Sequence, residues 1–174
     1  DEAYYEFGRH AGRPDTLPLL TRVRGRWLAT RSASKAFGLA GVRLGYVIAS
    51  DAEFAAEIRD KRPTFNVNAL ALAAGRAAVE NAADSLARVA LISAERDRLA
   101  GELAALGATP LPSGANFIAF DAAPFGPDPV AALREAGVLV IGFTMPDGRR
   151  MLRASIWTEA ESDALLEALQ TLIA

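Results

Sequence analysis

Arg31-Ser-Ala-Ser-Lys35-Ala-Phe-Gly-Leu-Ala-Gly41-Val-Arg43-Leu-Gly-Tyr46 is the stretch on which the reading of this chain turns. Its middle, Ser32–Gly41, is small, polar and glycine-bearing, and reads as a loop. Trp27–Arg31 before it and Val42–Ala49 after it are rich in residues that favour strands. The loop carries Lys35. Among 19 basic residues there are 17 arginines and only two lysines, Lys35 and Lys61, in a chain that also has 37 alanines. Under such a bias a solvated positive charge is normally written as arginine. Arginine stays charged, whereas a desolvated lysine can lose its proton and attack an aldehyde. Lys61 sits in the polar stretch Glu57–Arg62, an ordinary helix end. A loop charge is the plain alternative for Lys35, and composition alone leaves that alternative open.

The remaining composition excludes much chemistry. The chain has 174 residues, 51% hydrophobic and 23% charged, with a net charge of -2. That is the balance of a globular domain with a real core. There is no basic field for nucleic acid or anionic lipid, so neither nucleic acid nor membrane is expected as a partner. No apolar run is long enough for a bilayer; Ala69–Ala74 is soon broken by Arg76. No cysteine and a single histidine, His10, leave no thiol chemistry and little basis for a metal site or a Ser-His-Asp triad. No metal is expected.

The pattern predicts strand-end or loop structure over Asp1–Phe7 and a short helix in Pro14–Arg22. Helices follow at Ala52–Lys61, capped by Asp51, and from Asn68 to about Asn81. A further helix runs from Asp84 or Ser85 to Leu106, with Leu86, Val89, Ala90, Ile92, Leu99 and Leu103 largely on one face and Gly107 after it. Beyond that the pattern gives strands at Asn116–Phe120, Val138–Ile141 and Met151–Ile156. It also gives helices at Asp128–Ala136 and Glu159–Leu172, the latter opened by a Thr158/Glu161 capping box. The division expected is 1–83, part of a larger α/β domain holding the lysine loop; 84–108, a connecting helix; and 109–174, a small α+β domain.

Hydroxyls at Ser32 and Ser34, with Arg43 close by, supply neutral donors and one bidentate cation for a phosphate. Lys35 beside them could hold an aldehyde that carries that phosphate. An upstream carboxylate could pair with a pyridinium nitrogen. Together these are the requirements of pyridoxal 5′-phosphate: a Schiff-base lysine, an acid on the ring nitrogen and a phosphate anchor.

At these residues the sequence resembles the fold-type I pyridoxal-phosphate aminotransferases (class I/II), and within them the histidinol-phosphate aminotransferase subgroup. The resemblance rests on Asp1-Glu-Ala-Tyr4 with Phe7, on Ser32-x-Ser-Lys-Ala-Phe-Gly-Leu-Ala-Gly-Val-Arg-Leu-Gly-Tyr46, on Asn66-Val-Asn68, on Pro112-Ser-Gly-Ala-Asn116-Phe117, and on Leu152-Arg153 before Thr158-Glu159. It runs the length of the chain. It implies an α/β fold with a mostly parallel sheet in the large domain and a small C-terminal α+β domain. It implies Lys35 as the Schiff-base lysine and proton carrier, Asp1 on the pyridine nitrogen and Tyr4 on the ring's phenolic oxygen. Ser32, Ser34 and Arg43 would hold the phosphate. Arg153 would bind an acidic group of the substrate. Asn68 and Asn116 read as caps and turns, His10 as a surface residue, and Trp157 and Phe143 as core or pocket wall.

Two departures bear on substrate. The subgroup commonly has an arginine after the Gly-Val-Leu-Val strand, where this chain has Ile141; Trp157 stands where a small residue is usual. Both make the substrate end more apolar. The resemblance implies transfer of an amino group between an amino donor and a 2-oxo acid or phosphorylated ketone. Alternatives are an aromatic or other apolar amino-acid aminotransferase, a pyridoxal-phosphate-dependent decarboxylase of an amino-acid phosphate, or an inactive interaction domain. It further implies a cytoplasmic homodimer in amino-acid biosynthesis. Family members are about twice as long, so residues 1–174 are expected to be a C-terminal half. The N-terminal half would be truncated or supplied by a complementary chain. The 174 residues alone are expected to bind the cofactor weakly without turnover.

Overall fold

The Asp1 carboxylate Oδ1 accepts the Ala3 N–H at 3.0 Å, closing a turn, and the chain enters helix α1, Tyr5–His10. Asp1–Phe7, expected as a strand end or the loop after one, is thus a turn followed by the start of a short helix that buries Phe7. The aromatics there are helix residues packed inward. This computed structural model describes residues 1–173. Helix α2 is Leu17–Leu20, and strand β1 is Leu28–Ser32. A short 3₁₀ turn at Ala40–Val42 leads to strand β2, Gly45–Ala49.

β1 and β2 pair antiparallel, from Leu28 opposite Ala49 to Ser32 opposite Gly45. One more bond, from Ala33 N–H to the Leu44 carbonyl at 3.1 Å, carries the pairing into the loop. Gly45 is required here: a Cβ would stand 2.8 Å from the Arg31 carbonyl oxygen. Arg43 adopts the left-handed conformation, φ 59°, and its guanidinium donates to the Ala40 carbonyl at 2.9 Å. The loop from 33 to 44 is thus pinned at both ends and across its turn.

The helices that follow begin where the capping residues place them. Asp51 accepts the Phe54 N–H at the start of α3, Ala52–Asp60. Asn68 does the same for Ala71 at the start of α4, Ala69–Glu80. Helix α5 runs from Ala82 to Ala105, starting two or three residues before the Asp84 or Ser85 expected from the sequence. The boundary between two compact units, Asp1–Ala90 and the residues from Leu91 on, falls within its length.

The second unit contains β3, Phe117–Asp121; α6, Pro129–Glu135, capped by Asp128; β4, Ile141–Thr144; β5, Arg150–Ser155; and α7, Glu159–Ile173. Its three strands lie in the order β3-β5-β4, all antiparallel. The strand expected at Val138–Ile141 starts only at Ile141: the Val138 N–H is held by the Leu133 carbonyl at the end of α6, 2.8 Å away, and pairing with β5 begins at Ile141. The capping box forms: the Thr158 hydroxyl and the Glu161 carboxylate bind each other's backbone N–H groups. The chain is α/β in class, and every strand pair among the described residues is antiparallel.

Strand alternation divides the three-stranded sheet into two faces. Ile118, Phe120, Leu152 and Ala154 point to the core, where Leu133, Leu99, Leu103, Leu165 and Leu169 meet them. Phe120 and Phe125 pack edge to face, centroids 6.0 Å apart. The opposite face carries Phe117, Ala119, Ile141, Phe143 and Arg153. Leu133 is fully buried and Leu139 is 78% exposed. Leu133→Ala is expected to cost about 3 kcal/mol in chemical denaturation, and Leu139→Ala less than about 0.5 kcal/mol; similar losses would contradict this placement of the core.

Candidate active site

The residues singled out around Lys35 all lie in the first unit. The Glu2 N–H donates to the Thr30 carbonyl at 2.8 Å, which sets the Asp1–Tyr4 turn against β1 just before the Ser32–Lys35 loop. Asp1 Oδ1 accepts the Thr30 hydroxyl at 3.3 Å in addition to Ala3 N–H, leaving Oδ2 for another donor. Lys35 Nζ lies 5.4 Å from the centroid of the Tyr4 ring. The turn thus brings Tyr4 to Lys35 and leaves Asp1 beside β1. Ser32, the last residue of β1, accepts the Ser34 N–H on its hydroxyl at 3.1 Å, which folds the two hydroxyl-bearing residues into one turn. Arg43 is exposed and lies across the ladder from that turn, one position beyond Leu44.

Lys35 is half-buried, and among the described residues no carboxylate forms an ion pair with it. A lysine placed against an aromatic ring without a countercharge is a better candidate for covalent work than one locked in a salt bridge. No group of acidic or histidine side chains able to hold a metal occurs among the described residues.

Beneath these residues lies a cluster that the sequence reading did not find. Arg31 Nε donates to Glu2 Oε2 at 2.8 Å, and both side chains are mostly buried, 9% and 12% exposed. The guanidinium lies over the Tyr5 ring, 3.4 Å from its centroid. The Thr16 hydroxyl donates to the other Glu2 oxygen. Burial alone would push the Glu2 carboxyl up; the Thr16 hydroxyl and the Arg31 guanidinium outweigh it and hold the group below the ordinary glutamate value. Burial works against the Arg31 charge as well, and the Glu2 carboxylate together with the Tyr46 hydroxyl more than offsets it, so Arg31 is held charged. Tyr4 faces Lys35 and Asp1 lies beside Thr30 of β1, while Glu2 and Tyr5 grip Arg31. The only available signal was an acid and an arginine 29 positions apart, which no local pattern connects.

Arg153 lies in the second unit, at the centre of β5 between Ala119 of β3 and Ile141 of β4. Its guanidinium rests over Phe117, 4.0 Å from the ring centroid, and its Nε is buried with no hydrogen-bond partner. A cation so placed has unspent donor capacity toward an anion. Ile141 is its direct cross-strand neighbour. Trp157 and Phe143 are exposed at 64% and 38% and so lie outside the core; each lines a shallow surface cleft. His10 is exposed, as expected. Asn68 is the α4 cap, and the Asn116 carbonyl accepts the Ile156 N–H at 2.9 Å in a turn.

The Glu2 geometry fixes a pH dependence. A carboxyl whose value is depressed on folding adds stability that is complete above its unfolded value, 4.5, and is lost as pH falls through the folded value. Glu2→Gln is expected to lower stability by about 3 kcal/mol at pH 7 by leaving Arg31 without its countercharge. In thermal melts the gap between variant and parent narrows below pH 4.5; a gap that stays constant down to strong acid would contradict the role given to this pair.

The chain is similar to known proteins along nearly its whole length. The family profile for aminotransferase class I and II matches residues 1–169. Histidinol-phosphate aminotransferase of Mycobacterium sp. (strain JLS) is 38% identical over 173 residues, covering 99% of this chain and 44% of that protein. The enzyme of the same name from Nocardia farcinica (strain IFM 10152) is 37% identical over 174 residues, covering 43% of its length. Among solved structures, histidinol-phosphate aminotransferase from Sinorhizobium meliloti, in complex with pyridoxal-5′-phosphate, superposes with a TM-score of 0.82 at 32% identity, over 99% of this chain and 47% of that one. The chain spans a little under half the length of the relatives it matches. With the profile running unbroken through the lysine turn and on to α7, the chain belongs to the aminotransferase class I and II family.

Proposed function

We propose that this chain is the lysine-bearing part of a pyridoxal-phosphate-dependent aminotransferase similar to the histidinol-phosphate enzymes. The observation that carries the reading is Lys35: unpaired by any carboxylate among the described residues, set against Tyr4, and in one turn with Ser32 and Ser34. The residues present fit the cofactor. A carboxylate with one oxygen fixed and one available suits a ring nitrogen, and two hydroxyls with an exposed arginine opposite suit a phosphate. When bound, pyridoxal phosphate supplies an aldehyde and an electron-accepting ring.

The chain's own residues then divide the work. Ser32 and Ser34, with their hydroxyls, and Arg43, with its guanidinium, would hold the phosphate. Asp1 would keep a proton on the ring nitrogen by placing negative charge beside it. Tyr4 would donate to the phenolic oxygen. Lys35 Nζ would hold the aldehyde group and serve as the acid and base that moves a proton. Arg153 binds a substrate carboxylate. By likeness to relatives of which this chain covers 44%, the complete enzyme extends beyond these residues and acts as a homodimer in the cytoplasm. No helix among the described residues is long and apolar enough to cross a membrane.

One observation favours a substrate other than a phosphorylated one. Ile141, the cross-strand neighbour of Arg153, offers no second cation, and Phe143 and Phe117 share its face. An apolar or aromatic amino donor suits that wall. Lys35→Ala in the complete enzyme is expected to abolish the visible absorbance of the lysine-bound cofactor and to cut transamination at least about a hundredfold; survival of both would end the proposal. In a half-reaction screen read by loss of that absorbance, apolar donors are expected to react faster than phosphorylated ones, and Ile141→Arg to narrow or reverse the order. A parent enzyme that already prefers the phosphorylated donor would overturn the apolar assignment.

A further inference from the structure

We infer that Thr30 is a positioning residue for the Asp1 carboxylate, fixing which of its oxygens meets the cofactor's ring nitrogen; the inference rests on the function proposed above. Thr30 grips the Asp1–Glu2 segment twice. Its carbonyl accepts the Glu2 N–H at 2.8 Å, and its hydroxyl donates to Asp1 Oδ1 at 3.3 Å. The same Oδ1 takes the Ala3 N–H at 3.0 Å. Two donors on one oxygen remove the carboxylate's freedom to rotate about its terminal bond, which is otherwise broad and two-fold. Oδ2 is then the oxygen presented outward.

The Thr30 backbone cannot easily shift away from this task. Ala29, the residue before it, is buried, and Arg31, the residue after it, is held by Glu2 and Tyr5. Thr30 also pairs with Val47 in the ladder. Strand pairing thus fixes the backbone, and only the side chain decides whether Asp1 is oriented. Serine keeps the hydroxyl, while valine keeps the β-branched shape and loses the donor.

A role in orientation makes a prediction that a role in packing does not. A carboxylate aimed at a ring nitrogen matters only for a ligand that has one. The experiment compares binding of pyridoxal 5′-phosphate with binding of its analogue in which the ring nitrogen is replaced by CH, followed by the Lys35-dependent absorbance, in the parent, Thr30→Val, Thr30→Ser, Asp1→Asn and the Asp1→Asn/Thr30→Val double variant of the complete enzyme. Far-UV circular dichroism reports the fold of each. Thr30→Val is expected to weaken pyridoxal 5′-phosphate about fivefold and the CH analogue not at all, the loss of one hydrogen bond to a charged group. Thr30→Ser stays within about twofold of the parent, and the double variant binds no more weakly than Asp1→Asn, since both changes remove one interaction.

Equal weakening of both ligands by Thr30→Val, or no weakening of either, overturns the inference. If Thr30→Val fails to fold, Thr30→Ala replaces it under the same criteria. Failure of the underlying functional reading looks different: the parent itself then shows no Lys35-dependent absorbance with either ligand.

Discussion

The ion pair between Glu2 and Arg31 is the constraint on which the arrangement around Lys35 depends. Two mostly buried charges 2.8 Å apart are tolerable because each offsets the other, although one guanidinium nitrogen of Arg31, Nη2, is buried without a hydrogen-bond partner. The Glu2 carboxylate also takes the Thr16 hydroxyl, and the Arg31 guanidinium lies on the Tyr5 ring. Removing either partner would strand the other in the interior. The pair therefore ties the first turn of the chain to the strand that leads into the lysine loop. Asp1 and Tyr4 flank the tethered residues and inherit their positions.

Much of the fold was legible because it is governed locally. Asp51, Asn68 and Asp128, and the Thr158/Glu161 pair, each announce a helix start through a hydrogen bond made within three residues, and such bonds can be read from spacing alone. The errors have equally physical causes. Asp1–Phe7 has the aromatic content of a strand, yet an Asp side chain that closes on Ala3 and an inward-packed Phe7 make it a turn and a helix. Val138–Val140 has β-branched residues but lies outside the ladder, and the Val138 N–H is spent on the Leu133 carbonyl at the end of α6.

The candidate site divides in the same way. Lys35 stood out through composition, one of two lysines among 17 arginines, and its turn with Ser32 and Ser34 is local. Thr30 and Arg31 were not legible, since their partners lie 29 residues away. Ile141 was visible as a substitution, but its meaning comes from the register that places it directly opposite Arg153. Sequence spacing finds groups that act on neighbours in the chain; the groups that hold them in place are found by pairing across strands.

The account stands on Lys35 being the lysine that meets an aldehyde cofactor. The chain offers its own control, since Lys61 lies in an exposed helix end. Mixing the protein with one equivalent of pyridoxal 5′-phosphate, reducing with borohydride and mapping the peptides by mass spectrometry tests this directly. The account predicts the phosphopyridoxyl group on Lys35 with Lys61 unmodified. Label on Lys61 to the same extent, or none on Lys35, would contradict it.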